Sequence, residues 1–178
     1  MRSFVMFLTY ARIIFGPIIF ITVVFFEAYL FSFFLFLFAA LTDFFDGFMA
    51  RKFNVETRIG KLLDPIADKI LLCSSVFAVT LALNDPFVGF MAAMTLIREF
   101  WVAGIREHSA IQNKSHASEV TFLAKVKTSV QFFAIAGFFV SLGYELSLGI
   151  FLCSFAFFLS LLISIKTALD YTRNIFIN

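Results

Sequence analysis

The chain has 178 residues, of which 61% are hydrophobic and 15% are charged, and its formal net charge is +2. A composition this apolar lies outside the range of ordinary soluble domains and predicts an integral membrane protein. The small net charge gives no reason to expect a nucleic-acid partner. We therefore expect an all-α, polytopic membrane protein that forms one domain over residues 1–178.

Six segments approach or exceed the length of about 20 apolar residues that a helix needs to cross a bilayer. They cover residues 5–26, 29–50, 62–83, 87–107, 119–142 and 147–169. The first segment contains Arg12 and Pro17 and lacks a small-residue cleavage site after its apolar core. We expect it to be a retained helix rather than a removed signal peptide.

The charged residues between the segments predict the orientation. With the N-terminus in the cytoplasm, the three outer turns carry Glu27, Asp85 and Glu145 and no lysine or arginine. All 14 lysines and arginines then lie at the N-terminus, in the inner loops, in the inner halves of the helices or near the C-terminus. This positive-inside pattern predicts six transmembrane helices with both termini cytoplasmic. We expect a multi-pass protein of the inner (cytoplasmic) membrane.

Four carboxylates cluster at the cytoplasmic ends of the second and third predicted helices, namely Asp43, Asp46, Asp64 and Asp68. Carboxylates at membrane depth are costly unless they are neutralised, and divalent cations prefer carboxylate oxygens. Asp43 and Asp46 fall on one helix stripe, and Asp64 and Asp68 are spaced i,i+4 on the next helix. Four carboxylates converging from two helices can hold two divalent ions, a recurring arrangement in phosphoryl transfer.

Small residues and an arginine share these helix faces. Gly47 and Ala50 remove side-chain bulk, which lets a planar or phosphorylated group approach the backbone. Arg51 offers a planar fork suited to phosphate, and Gly60 lies one turn before Asp64. In a purely structural alternative, the carboxylates only pair with nearby cations, namely Arg51, Lys52, Lys61 and Lys69. That alternative does not explain the small residues on the same helix faces.

The whole pattern resembles the signature of the CDP-alcohol phosphotransferases: Asp43-x-x-Asp46-Gly47-x-x-Ala50-Arg51, eight residues, then Gly60-x-x-x-Asp64-x-x-x-Asp68. Members of that family are integral membrane enzymes that use an acceptor hydroxyl to displace CMP from a CDP-linked lipid or alcohol. The resemblance implies that the four aspartates bind two Mg²⁺ or Mn²⁺ ions and that Asp68 also takes the acceptor's proton. It further implies a set of contacts to the CDP-lipid, from Thr9, Gly47, Ala50, Arg51, Thr57 and Gly60.

Further stretches resemble one branch of that family, the phosphatidylglycerophosphate synthases. They are Leu8-Thr9-x-x-Arg12 with Pro17, Thr42-Asp43, Leu63 to Lys69, Arg98-Glu99-Phe100, Gly104 to Glu107, and Lys125 to Thr128 with Gln131. The resemblance implies CDP-diacylglycerol and sn-glycerol 3-phosphate as substrates, membrane lipids as surroundings, and a homodimer.

Basic residues in the cytoplasmic parts of the fourth and fifth helices favour an anionic acceptor. They are Arg98, Arg106, Lys125 and Lys127. Cations at that depth need partners, which glutamates or lipid headgroups can also supply. The candidate glutamates are Glu99, Glu107 and Glu119. Arg98 and Lys127 lie farther from the helix ends and are therefore the stronger candidates for binding an acceptor phosphate.

Two alternatives stay open at the level of sequence. The same chemistry could use another acceptor, such as inositol phosphate or phosphatidylglycerol. A divalent-cation transporter would also place carboxylates inside the membrane. A conduction path needs polar groups in both leaflets, however, whereas the outer halves of the six segments are almost purely apolar.

Overall fold

A computed structural model describes residues 2–53, 58–111 and 122–176 of the chain. Within these ranges it leaves undescribed the side chains of residues 2–8, 43–53, 58, 59, 61, 62, 110, 122, 124, 125, 175 and 176. The described residues form helices and short turns and contain no strand. The predicted all-α class is confirmed.

Six helices lie in the described ranges, and each coincides with one predicted segment. They are α1 (Arg2–Val24), α2 (Tyr29–Phe53), α3 (Arg58–Leu83), α4 (Pro86–Ile111), α5 (Phe122–Gly143) and α6 (Ser147–Phe176). The helix ends differ from the predicted ones by a few residues at most places, and α6 continues seven residues beyond its predicted end at residue 169. This extension adds a polar C-terminal portion that an apolar-length criterion does not detect.

Four of the described segments are long and apolar enough to cross a membrane. They are Leu63–Leu83, Pro86–Ser109, Val126–Gly143 and Ser147–Asn174. The described apolar parts of α1 and α2 are shorter, Thr9–Val24 and Tyr29–Thr42, so six spans and cytoplasmic termini stay predictions. Large apolar side chains such as Phe90, Phe133 and Phe151 are exposed on the helix surfaces. Surfaces this apolar fit a lipid environment, and the chain is a multi-pass membrane protein.

Three tight turns lie where the sequence predicts the outer turns. Each contains one non-glycine residue in the left-handed region, and these residues are Glu27 (φ 51°), Asn84 (φ 49°) and Glu145 (φ 53°). The amide of Ala28 donates to the carbonyl of Thr22 at 2.9 Å, and the amide of Leu146 donates to that of Ser141 at 2.8 Å. Such bonds satisfy carbonyls left open at a helix C-terminus, so α1 and α5 end at these turns.

The chain forms two compact units. The first comprises residues 1–84 and 138–146, and the second comprises residues 85–137 and 147–178. In the first unit α1 packs against α2 and, more extensively, against α3. In the second unit α4 packs against α6. Helix α5 gives its last residues to the first unit and its other residues to the second.

Helix α1 lies close to α3 around Gly16. A Cβ atom at this position would lie 3.0 Å from Ile70 Cγ2, 3.1 Å from the Ile70 carbonyl oxygen and 3.2 Å from Ser74 Oγ. Small residues let helix backbones approach closely in membrane proteins. Gly16 therefore permits a short distance between α1 and α3, and Arg12 lies one turn earlier on the same face of α1.

Replacing Gly16 by alanine is expected to lower the thermal stability of the detergent-purified protein. The added methyl group meets the backbone carbonyl of Ile70, which no side-chain rotation can move, and overpacking of this kind costs about 1–3 kcal/mol. The matched control is Gly104→Ala, because nothing lies within 4 Å of a Cβ there. Alanine at Gly104 should preserve or raise the melting temperature. Equal melting temperatures for the two variants would contradict the close α1–α3 contact.

Candidate active site

Asp64 and Asp68 of α3 both contact Arg12 of α1. Arg12 Nη1 donates to Asp68 Oδ1 at 2.7 Å, and Arg12 Nη2 donates to Asp64 Oδ1 at 3.2 Å. Thr9 Oγ1 donates to the same Asp64 oxygen at 2.9 Å. The Arg12 side chain is 0% exposed, whereas those of Asp64 and Asp68 are 45% and 46% exposed. The two carboxylates thus share one buried cation, and both stay partly exposed.

Residue spacing explains why these groups meet. Thr9, Arg12 and Gly16 follow one another at intervals of three and four residues, which places them on one face of α1. Asp64 and Asp68 are four residues apart and share one face of α3. Two polar stripes therefore face each other where the helices approach closely.

Sequence reasoning did not identify Arg12 as the partner of these carboxylates. The sequence placed Arg12 only in a stretch near the N-terminus that resembles the phosphatidylglycerophosphate synthases. The cations considered as partners of the carboxylates were closer to them in sequence. The signal that could have found it is an arginine in the middle of an otherwise apolar segment, because such an arginine requires a partner of opposite charge. Thr9, expected to contact the CDP-lipid, hydrogen-bonds Asp64.

The other predicted residues of this cluster lie partly or wholly outside the described residues. Five of them occupy the C-terminal part of α2 without described side chains, namely Asp43, Asp46, Gly47, Ala50 and Arg51. Thr57 lies outside the described residues, and Gly60 lies in α3 one turn before Asp64. Among the side chains that the structure describes, no three histidine, cysteine, aspartate or glutamate side chains form a group that could hold a metal ion. The convergence of all four aspartates stays a prediction.

A second ion cluster lies in the second unit, around Glu99. Arg98 Nη1 donates to Glu99 Oε1 at 3.0 Å, and Lys127 Nζ of α5 donates to the same oxygen. Arg98 also donates from Nε to the Ser164 carbonyl at 2.9 Å and from Nη2 to Thr167 Oγ1 at 2.7 Å, which ties α4 to α6. Arg98 and Lys127 are both buried. Because two cations share one carboxylate, this triad carries one excess positive charge.

The remaining two predicted acceptor-binding residues are Arg106 and Lys125. The guanidinium carbon of Arg106 lies 5.3 Å from the centroid of the Tyr171 ring, within the range of a cation–π contact. Its Nε is buried and has no hydrogen-bond partner in the part of the chain that the structure describes. The Lys125 side chain lies outside the described residues. Of the three glutamates considered as partners, Glu99 pairs with Arg98 and Lys127, and Glu119 lies outside the described residues.

Comparison with known proteins identifies similar chains. The family model described as CDP-alcohol phosphatidyltransferase matches residues 5–165. Two relatives, from Salmonella typhimurium (strain LT2) and Escherichia coli (strain K12), are named CDP-diacylglycerol–glycerol-3-phosphate 3-phosphatidyltransferase. Each is 41% identical to this chain over 98 residues, which cover 55% of this chain and 54% of the relative. The match thus spans about half the length of these curated relatives.

Proposed function

This chain belongs to the CDP-alcohol phosphatidyltransferase family, and we propose that it transfers the phosphatidyl group of CDP-diacylglycerol to sn-glycerol 3-phosphate. The products are phosphatidylglycerophosphate and CMP. The observation that carries the proposal is the eight-residue pattern from Asp43 to Asp68, which lies inside the range matched by the family model. The names of the two relatives favour glycerol 3-phosphate as the acceptor.

The described carboxylates fit a divalent cation. Asp64 and Asp68 supply hard oxygen ligands. Both contact the same guanidinium, that of Arg12, so the two carboxylates lie on the same face of α3. With Asp43 and Asp46 they would hold two Mg²⁺ or Mn²⁺ ions. Bound there, the ions would neutralise negative charge on the diphosphate and on the oxygens of the reacting phosphoryl group.

In the proposed reaction, Asp68 acts as the base and a second set of residues binds the CDP group. Asp68 accepts the proton of the acceptor hydroxyl, whose oxygen attacks the phosphorus that carries the diacylglycerol. The bond from that phosphorus to the CMP oxygen breaks, and CMP leaves. Arg51 and the small residues on its stripe bind the CDP group, together with Thr57 and Gly60.

The excess positive charge around Glu99 supports an anionic acceptor. Arg98 and Lys127 converge on one carboxylate, so a phosphate brought to this cluster meets two buried cations and one anion. We assign acceptor-phosphate binding to Arg98, Arg106, Lys125 and Lys127. The positive-inside pattern supports a site that faces the cytoplasm from an inner membrane, and the family resemblance supports a homodimer.

An acceptor panel tests the reaction. Purified protein with CDP-diacylglycerol and Mg²⁺ is expected to release CMP with sn-glycerol 3-phosphate, and not with inositol phosphate or phosphatidylglycerol. Release should stop in excess EDTA and return with Mg²⁺ or Mn²⁺, because unneutralised carboxylates would repel the diphosphate. CMP release with a different acceptor would contradict the assigned substrate. Full turnover in excess EDTA would contradict the metal site.

Asp68→Asn is expected to lower kcat at least ~10²-fold, because the amide keeps the shape of the side chain but cannot accept the proton. CDP-diacylglycerol binding, measured as a thermal shift of the protein on adding this lipid, should be retained. Asp170→Asn, which changes an exposed aspartate of α6, provides the control and should retain activity. A near-normal kcat for Asp68→Asn would refute the role as base. Loss of CDP-diacylglycerol binding would instead make Asp68 chiefly a metal ligand.

A further inference from the structure

Arg12 is among the largest fully buried side chains in the described part of the chain. It lies in an apolar helix, where an arginine is costly without partners of opposite charge. Its two terminal nitrogens contact two different carboxylates, at 2.7 Å and 3.2 Å. These carboxylates belong to α3, so the buried Arg12 connects α1 to the proposed metal ligands inside the first unit.

The shape of the guanidinium suits this double contact. Asp64 and Asp68 lie one helical turn apart, and each presents its Oδ1 atom to a separate nitrogen of the same planar group. A lysine ammonium is a single point charge on a flexible stem and does not reproduce this fork. Thr9 adds a second donor to Asp64 Oδ1. One face of α1 therefore fixes the orientation of both carboxylates.

We propose that Arg12 is a positioning residue, whose guanidinium orients Asp64 and Asp68 as ligands for a divalent cation. The inference rests on the proposed function, because that function makes these aspartates metal ligands. Arg12 acts through the two carboxylates and contacts neither the substrate nor the ion. Removing a group that orients metal ligands typically weakens metal affinity by about 10–100-fold.

The sign of the change separates positioning from a simple charge effect. Arg12 is a cation close to a site for cations, so its charge alone opposes metal binding. If the charge were its main influence, its removal would tighten binding. If it orients the ligands, its removal weakens binding even though a repulsive charge has been lost.

Direct binding of Mn²⁺ provides a readout that does not depend on activity. The full chain in detergent micelles is stripped with EDTA, freed of chelator and titrated with MnCl₂, and free Mn²⁺ is followed by electron paramagnetic resonance. Arg12→Met is expected to weaken Mn²⁺ binding by about 10–100-fold. Arg12→Lys should also bind Mn²⁺ weakly, because a lysine cannot bridge both carboxylates. Thr9→Val should cause a smaller but measurable loss, since Asp64 keeps its contact with Arg12.

The matched control is Arg173→Met, which removes an exposed arginine of α6 in the second unit. It changes the net charge of the chain as Arg12→Met does and should leave Mn²⁺ affinity unchanged. Size-exclusion profiles and melting temperatures in EDTA show whether each variant is folded. If Arg12→Met does not fold, Arg12→Lys and Thr9→Val carry the test.

Three results would overturn the inference. The first is unchanged or tighter Mn²⁺ binding by Arg12→Met, and the second is wild-type Mn²⁺ affinity in Arg12→Lys. The third applies if Arg12→Met does not fold, and is unchanged Mn²⁺ affinity in both Arg12→Lys and Thr9→Val. The failure of the proposed function is distinguishable from these. If the wild-type chain itself binds no Mn²⁺, the proposed metal site fails, and the role of Arg12 fails with it. If the wild-type chain binds Mn²⁺ and the variants bind it equally well, only the role of Arg12 is refuted.

Discussion

The contact of Arg12 with Asp64 and Asp68 is the interaction on which the first unit depends. A guanidinium that is 0% exposed inside an apolar helix has lost its contacts with water, and breaking one side of a buried ion pair is strongly destabilising. The carboxylates therefore set the register of α1 against α3. In return, Arg12 keeps two acidic groups together in a part of the chain where they would otherwise repel each other.

Close helix packing makes this contact possible. Gly16 lets α1 approach α3, and Arg12 lies one turn away on the same face, so its side chain reaches two residues of α3 at once. The second unit also contains buried cations that need partners of opposite charge. There, Arg98 and Lys127 share the single carboxylate of Glu99. One cluster thus combines two anions with one cation and the other combines two cations with one anion. We propose the first as part of a metal site and the second as part of a phosphate site.

The positions of the helices and turns could be predicted from the sequence because apolar length and turn residues are local signals. The turns at Glu27, Asn84 and Glu145 lie where the apolar segments break. The partners of the buried charges could not be predicted, because they depend on how helices pack. Arg12 is more than fifty residues from Asp64 and Asp68 in sequence. Glu99 was one of three candidate glutamates, and its pairing with Lys127 depends on which faces of α4 and α5 meet.

The central claim is that aspartates of α2 and α3 hold a pair of metal ions. Anomalous scattering is its most direct test. Crystals of the protein grown with Mn²⁺ would be measured at the manganese absorption edge. We expect two anomalous peaks about 3.5–4 Å apart, each within coordination distance of Asp43, Asp46, Asp64 or Asp68, with Arg12 still contacting Asp64 and Asp68. Manganese bound away from these aspartates, or no anomalous peak beside them, would contradict the claim.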